Sequence, residues 1–245
     1  MAALALGCSS KQLDFDMDIP TAEVLYEQGV EALKPRRALL IIPYTNYQKG
    51  IDLFQEIVDN YPYSEYSVKA ELEIANAYYN QKKWEEALSY YQDFGDLHPD
   101  DENVPFTMFR TGMCYANRVP VPDRDQRMTK LAVEAFDLLV DSFPESTYAP
   151  EAEERAHNLR IRLAENAFIV ANFYFETEEY QAAARRFNIM LEEYPDLGFD
   201  PLVLQRLGIS YARLQRPEDA ARVFEQLRNE HGRNESGELI TPGTP

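Results

Sequence analysis

The sequence predicts an all-α chain, a solenoid of five helix-turn-helix repeats with about ten helices. Three observations carry that expectation. Apolar residues recur at helical spacing along most of the 245 residues. Small and bulky side chains return in one register five times. Prolines stand where the second helix of a unit would stop, at Pro62, Pro99, Pro144 and Pro195.

The register is clearest between Leu72 and Pro99. Ala75, Tyr78, Ala87, Tyr91, Phe94 and Pro99 occupy positions 8, 11, 20, 24, 27 and 32 of a tetratricopeptide (TPR) unit. Small residues at 8 and 20 let two antiparallel helices approach, and bulky ones at 11, 24 and 27 fill the space between them. The predicted architecture is therefore a right-handed TPR superhelix.

The elements follow in order. Repeat one has helices near 21–34 and 46–60, with Gly29, Gly50, Phe54, Ile57 and Pro62 in register after nine extra residues. Its insertion, Pro35–Tyr44, is long and apolar and reads as a groove cap or a separate contact. Repeat two spans 65–81 and 84–97, broken by the polar turn Asn80–Lys83. Repeat three, 103–117 and 128–142, matches at Gly112, Tyr115, Ala132, Phe136, Leu139 and Pro144 after eight extra residues. Repeat four, 148–177 and 180–193, matches at Ala171, Tyr174, Ala183, Phe187, Met190 and Pro195. Glu151–Glu176 contains no breaker, so its first helix gains turns, and Pro150 suits the first turn. Repeat five, 200–214 and 217–231, matches at Gly208, Tyr211, Ala220, Phe224 and Leu227 but lacks the final proline. Residues 21–145 form the N-terminal repeats and 146–231 the C-terminal ones; 232–245 reads as a disordered tail.

The net charge of −18 and pI near 4.6 exclude nucleic-acid binding, which needs a basic stripe, and charge-driven adsorption to anionic lipid. No apolar run approaches the roughly 20 residues of a spanning helix. The two cysteines do not make a disulfide framework. Catalytic groups do not converge. His98, His157 and His231 are far apart in repeat order, and Cys114 falls at a helical core position. Asp14–Asp18 lacks the glycine and glutamate of a calcium loop, and no glycine-rich phosphate loop exists. The expectation is a chain that is not an enzyme and holds no cofactor.

The concave face is the expected binding surface. Its inward positions in repeats one to three are Tyr26, Val30, Lys34, Lys69, Leu72, Asn76, Tyr79, Asn80, Phe106, Phe109 and Met113. They describe an aromatic, apolar trough edged by amides, in which Lys34 and Lys69 would receive a peptide carboxylate. The alternative for Phe106 and Phe109 is packing against neighbouring helices. Arg185 and Arg186 form a cationic pair in an acidic chain, either a solvated helix face or a docking site for a protein.

Residues 1–10, MAALALGCSS, look like the end of a bacterial lipoprotein signal, with Ala5-Leu6-Gly7-Cys8 as lipobox. Residues 1–8 would then be a partial signal ending at the lipidated Cys8, and 9–20 a flexible tether. The other reading is an ordinary N-terminus with an incidental cysteine.

Tyr61–Tyr66 (YPYSEY), Ala77-Tyr78-Tyr79, Asp123-Arg124-Asp125-Gln126 in the inserted turn, Phe143–Tyr148 (FPESTY), Arg160–Ala164 (RIRLA) and Ala171–Tyr174 (ANFY) resemble the BamD family. These are the TPR lipoproteins of outer-membrane β-barrel assembly (the BAM complex). The resemblance runs from about Tyr47 to Tyr211. It implies a non-catalytic adaptor, lipid-anchored at Cys8 on the periplasmic face of the outer membrane. It implies that the N-terminal repeats receive C-terminal targeting strands of unfolded outer-membrane proteins. The C-terminal repeats would dock the barrel-inserting subunit, BamA, through Arg186, the one residue the resemblance carries over there; Arg185 joins it as a candidate only as the other member of the cationic pair. Other lipoproteins of the complex are further expected partners. The alternatives are another envelope TPR lipoprotein that scaffolds peptidoglycan enzymes, and a cytosolic TPR co-chaperone.

Overall fold

The computed structural model describes residues 19–38 and 42–231. The expected lipidation site at Cys8, most of the 9–20 tether and the 232–245 tail lie outside them. The described helices are α1 (Ala22–Leu33), α2 (Tyr47–Asn60), α3 (Glu65–Asn80), α4 (Trp84–Leu97), α5 (Val104–Ala116), α6 (Arg127–Ser142), α7 (Ala149–Glu176), α8 (Tyr180–Glu193), α9 (Asp200–Arg213) and α10 (Pro217–Glu230). Each agrees with the helix expected from the repeat register to about one residue.

The purely helical expectation needs one addition. Within the first-repeat insertion, β1 (Arg36–Ala38) pairs antiparallel with β2 (Ile42–Tyr44), setting Arg36 opposite Tyr44 and Ala38 opposite Ile42. The apolar, isoleucine-containing run suits extended backbone. Pro43 is tolerated because both strands of a two-stranded ribbon are edges.

The chain divides into two compact units, Met1–Glu73 and Ile74–Pro245. In the first, Leu25 and Ala32 of α1 pack with Ile51, Phe54 and Ile57 of α2, all buried. Thr21 caps α1 by accepting from the Val24 amide, and Asn46 caps α2 by accepting from that of Lys49. The Tyr61 hydroxyl donates to the Pro20 carbonyl at 2.7 Å and ties the start of α1 to the end of α2.

Among the described residues of the second unit, two large clusters stand out. Phe109, Ala132, Phe136, Leu139, Ala152 and Ala156 form one. The other gathers Ala164, Ala171, Phe187, Met190, Leu204, Leu207 and Tyr211. The small-against-bulky register is visible atom by atom. A Cβ on Gly112 would stand 2.5 Å from the Phe136 ring, and one on Gly208 2.6 Å from that of Phe224; in the first unit Gly29 meets Phe54 in the same way, at 2.5 Å.

The turns between paired helices also repeat. In repeats two, four and five the turn residue is left-handed: Lys82 at φ 60°, Glu178 at 63° and Gln215 at 57°. After each, an amide closes back on a tyrosine carbonyl: Lys83 to Tyr78, Glu179 to Tyr174, Arg216 to Tyr211. The third repeat instead carries its insertion, which rests on α7. Arg162 Nε donates to the Pro120 carbonyl at 2.9 Å, and Asn166 donates to that of Pro122. The buried Gln126 amide donates to the Val121 and Arg124 carbonyls while accepting from the Thr129 hydroxyl.

Candidate functional site

In the first unit, Tyr26 and Val30 of α1 and Lys34 just past its end line one cleft of about 660 Å³ with Glu27, Glu31 and Lys49. Tyr26 packs against Phe54 and Tyr66, with centroids 5.6 and 5.5 Å away. Burial and the Glu73 carboxylate push its hydroxyl pKa up. The two expected carboxylate receptors are exposed and engaged with their own helices. Lys34 pairs with Glu31 at 2.8 Å; Lys69 pairs with Glu65 at 3.7 Å and lies over the Tyr66 ring. Leu72 is half-buried on α3.

In the second unit, the end of α3 faces α5. Asn76 Oδ1 accepts from the Tyr91 hydroxyl at 2.8 Å, while Asn80 is exposed. Tyr79 packs edge-on against Trp84 and Tyr91, and its hydroxyl accepts from Asn117 at 3.3 Å. Phe106 meets Tyr91 and Tyr148. Between Tyr79 and Phe106 lies the half-buried Arg110, its guanidinium 4.5 Å from one ring centroid and 5.1 Å from the other. Arg110 Nε is buried without a hydrogen-bond partner.

Phe109 corrects the expected trough. It is 7% exposed, tilted against Phe136 and stacked on Tyr148 at 5.5 Å, so it belongs to the core. Met113 is half-buried against the same cluster. The helical rotation that points Phe106 and Arg110, four residues apart, toward Tyr79 turns Phe109 inward. Arg110 was missed because its repeat position is not among the inward five. The signal was an arginine four residues after Phe106.

Repeats four and five contain a counterpart. Arg206 lies 5.7 Å from the Phe168 centroid and 5.0 Å from that of Phe175. It donates to Asn172 Oδ1 and, at 2.8 Å, to Glu176 Oε1. The expected Arg185–Arg186 pair does not act on one face, since successive helical residues point about 100° apart. Arg185 lines a cleft of about 650 Å³ with Asn188, Ile189, Glu192 and Tyr211; Arg186 is exposed and outside it.

Reactive chemistry finds no footing at Cys114. The thiol is fully buried, and desolvation pushes its pKa up to about 12 despite the neighbouring Arg110 and Arg118. Among the described residues, no group of three or more His, Cys, Asp or Glu side chains is placed to hold a metal ion. None of the described helices is long and apolar enough to cross a membrane.

A family model described as YfiO, outer membrane lipoprotein, matches residues 20–227. The chain is similar to the outer membrane protein assembly factor BamD of Neisseria gonorrhoeae, at 28% identity over 91% of this chain and 86% of that one. It is also similar to the factor of the same name from Caulobacter vibrioides, at 25% identity over 91% of this chain and 70% of that one. A tetratricopeptide repeat protein from Parabacteroides merdae superposes with a TM-score of 0.40 and 14% identity, covering 85% of this chain and 79% of that one. The two BamD relatives are named as outer membrane protein assembly factors. With ten helices in TPR register and the family match across almost all of them, the chain belongs to the YfiO outer membrane lipoprotein family, the family of BamD.

Proposed function

We propose that the chain is a non-catalytic adaptor in the assembly of outer-membrane β-barrel proteins, acting within a BAM complex. The observation that carries this reading is the similarity to BamD assembly factors over nine-tenths of the chain. In this reading Cys8 bears the lipid anchor, and the repeats stand in the periplasm at the outer membrane.

The N-terminal repeats receive the C-terminal strands of unfolded barrel proteins. Two features support that role: the α1 cleft with Tyr26, Val30 and Lys34, and the aromatic seam of Tyr79 and Phe106 with its cation. An extended chain with alternating aromatic residues fits such surfaces. The C-terminal repeats dock the barrel-inserting subunit, a BamA-like protein, for which Arg185 offers a cation in the cleft with the exposed Ile189, and Arg186 an exposed cation outside that cleft.

Affinity capture from native membranes tests the adaptor role. The chain should retain the barrel-inserting subunit, and Arg185→Glu or Arg186→Glu should reduce its recovery severalfold. Retention of no barrel-assembly subunit would overturn the proposal. Metabolic labelling with palmitate tests the anchor: incorporation should disappear in Cys8→Ser, and a full-length chain without Cys8-dependent label would remove the lipid assignment.

A further inference from the structure

The seams between repeats two and three and between repeats four and five each set an arginine over aromatic rings. Arg110 and Arg206 occupy the same repeat position, two residues before Gly112 and Gly208. Each lies over the aromatic residue at the same position of the preceding repeat, Tyr79 or Phe175, at 4.5 and 5.0 Å. A second ring completes each cradle from a different place in the register, Phe106 on the helix of Arg110 itself and Phe168 on α7, in the repeat before that of Arg206. Asn76 and Asn172 correspond, as do Asn80 and Glu176.

The polar partners differ. Arg206 is clamped by Asn172 and by the Glu176 carboxylate. In the other seam the residue matching Glu176 is the neutral, exposed Asn80, and the amide oxygen of Asn76 already accepts from Tyr91. Arg110 Nε is buried without a hydrogen-bond partner. Arg118, nearby in sequence, is committed to Glu85 at 2.6 Å. A guanidinium fixed between two rings is already ordered, so a carboxylate meeting its terminal nitrogens loses little entropy in forming a charge-assisted contact.

We propose that Arg110, cradled by Tyr79 and Phe106, receives the C-terminal carboxylate of a bound extended peptide, in the place that Glu176 fills for Arg206. This deepens the client-binding role proposed above and rests on it. Asn80 stands beside the incoming carboxylate as an amide donor. Aromatic side chains of the peptide lie against Tyr79 and Phe106. In this proposal the receiving cation is Arg110 rather than the exposed Lys34 or Lys69, which pair with Glu31 and Glu65.

The test is fluorescence anisotropy with a synthetic peptide of about ten residues, the length of a barrel strand. It alternates apolar and polar residues, ends in phenylalanine, and is made as free acid and as C-terminal amide. The wild-type chain should bind the acid about tenfold more tightly than the amide, the effect of one charge-assisted contact. Arg110→Gln should equalise the two, with its fold checked by circular dichroism. Asn80→Glu, which installs the internal carboxylate of the other seam, should weaken the acid more than the amide and so lower the ratio. Arg206→Gln should leave the ratio intact. Equal wild-type affinity for acid and amide, or an unchanged ratio in Arg110→Gln, would overturn the carboxylate assignment and leave client binding standing. Failure of both peptides to bind the wild-type chain would overturn client binding and this assignment together.

Discussion

The ring of Phe136 occupies the space that a β-carbon on Gly112 would need, with Cε1 2.5 Å from that position. The ring is fully buried and its neighbours are close-packed, so it has nowhere to retreat. Gly112→Ala should destabilise the chain by about 1–3 kcal/mol through overpacking, more than the gain in helix propensity returns. Gly95 is the control: it is also within a helix, α4, but nothing lies within 4 Å of the point where its β-carbon would stand. Gly95→Ala should stabilise by about 0.5–1 kcal/mol. Urea denaturation of the two variants checks both signs, and a stable Gly112→Ala protein would refute the close-approach role.

The left-handed turn residues make a prediction of the opposite kind. Gln215 has φ 57° and carries a β-carbon that disfavours that conformation. Gln215→Gly should raise stability by about 0.5–1 kcal/mol, because glycine adopts the helix-ending geometry without steric cost. The same holds for Glu178→Gly. A fall in thermal midpoint for both would show that these side chains contribute contacts worth more than the backbone relief.

Cys114 sets a pH dependence. Its thiol is held up to about 12 in the folded chain against an ordinary value of 9.0. Above pH 9 the unfolded chain loses this proton while the folded chain keeps it, so the unfolded state binds fewer protons and stability falls as pH rises toward 12. Cys114→Ala should reduce that slope between about pH 9 and 11, measured by denaturant titration. The native thiol should also resist iodoacetamide at about pH 8 and react once the chain is unfolded. Rapid native labelling would contradict the burial.

The inserted turn of repeat three depends on two side chains of α7. Arg162→Ala and Asn166→Ala remove the donors to the Pro120 and Pro122 carbonyls. Together they should raise hydrogen exchange across residues 119–125 by about tenfold or more while changing global stability by only about 1–3 kcal/mol. Unchanged exchange would mean that the Gln126 contacts alone hold the turn.

Most of the helical framework was legible because one packing solution recurs. Ala75, Gly112, Ala171 and Gly208 each mark a close approach, and the bulky residue sixteen or more positions later marks its partner. The strand pair in Pro35–Tyr44 was not legible, since a short apolar run suits a buried helix, strand or cap equally. The site was legible in part. Tyr26, Val30 and Lys34 share a cleft as the register implies. Phe109 went astray because a position number fixes direction only to within the rotation of a helix. Arg110 escaped notice because cation–aromatic stacking across a repeat boundary leaves no periodic signature.

The length of α7 has a consequence for how the chain unfolds. Its Ala152 and Ala156 pack in the Phe136 cluster, and its Ala164 and Ala171 in the Phe187 cluster. Repeat proteins ordinarily lose order unit by unit, since neighbouring repeats are coupled only by their interface. Here one uninterrupted 28-residue helix is a structural member of both clusters. Fraying cannot halt between repeats three and four without breaking that helix in its middle, so the two melt as a single cooperative block.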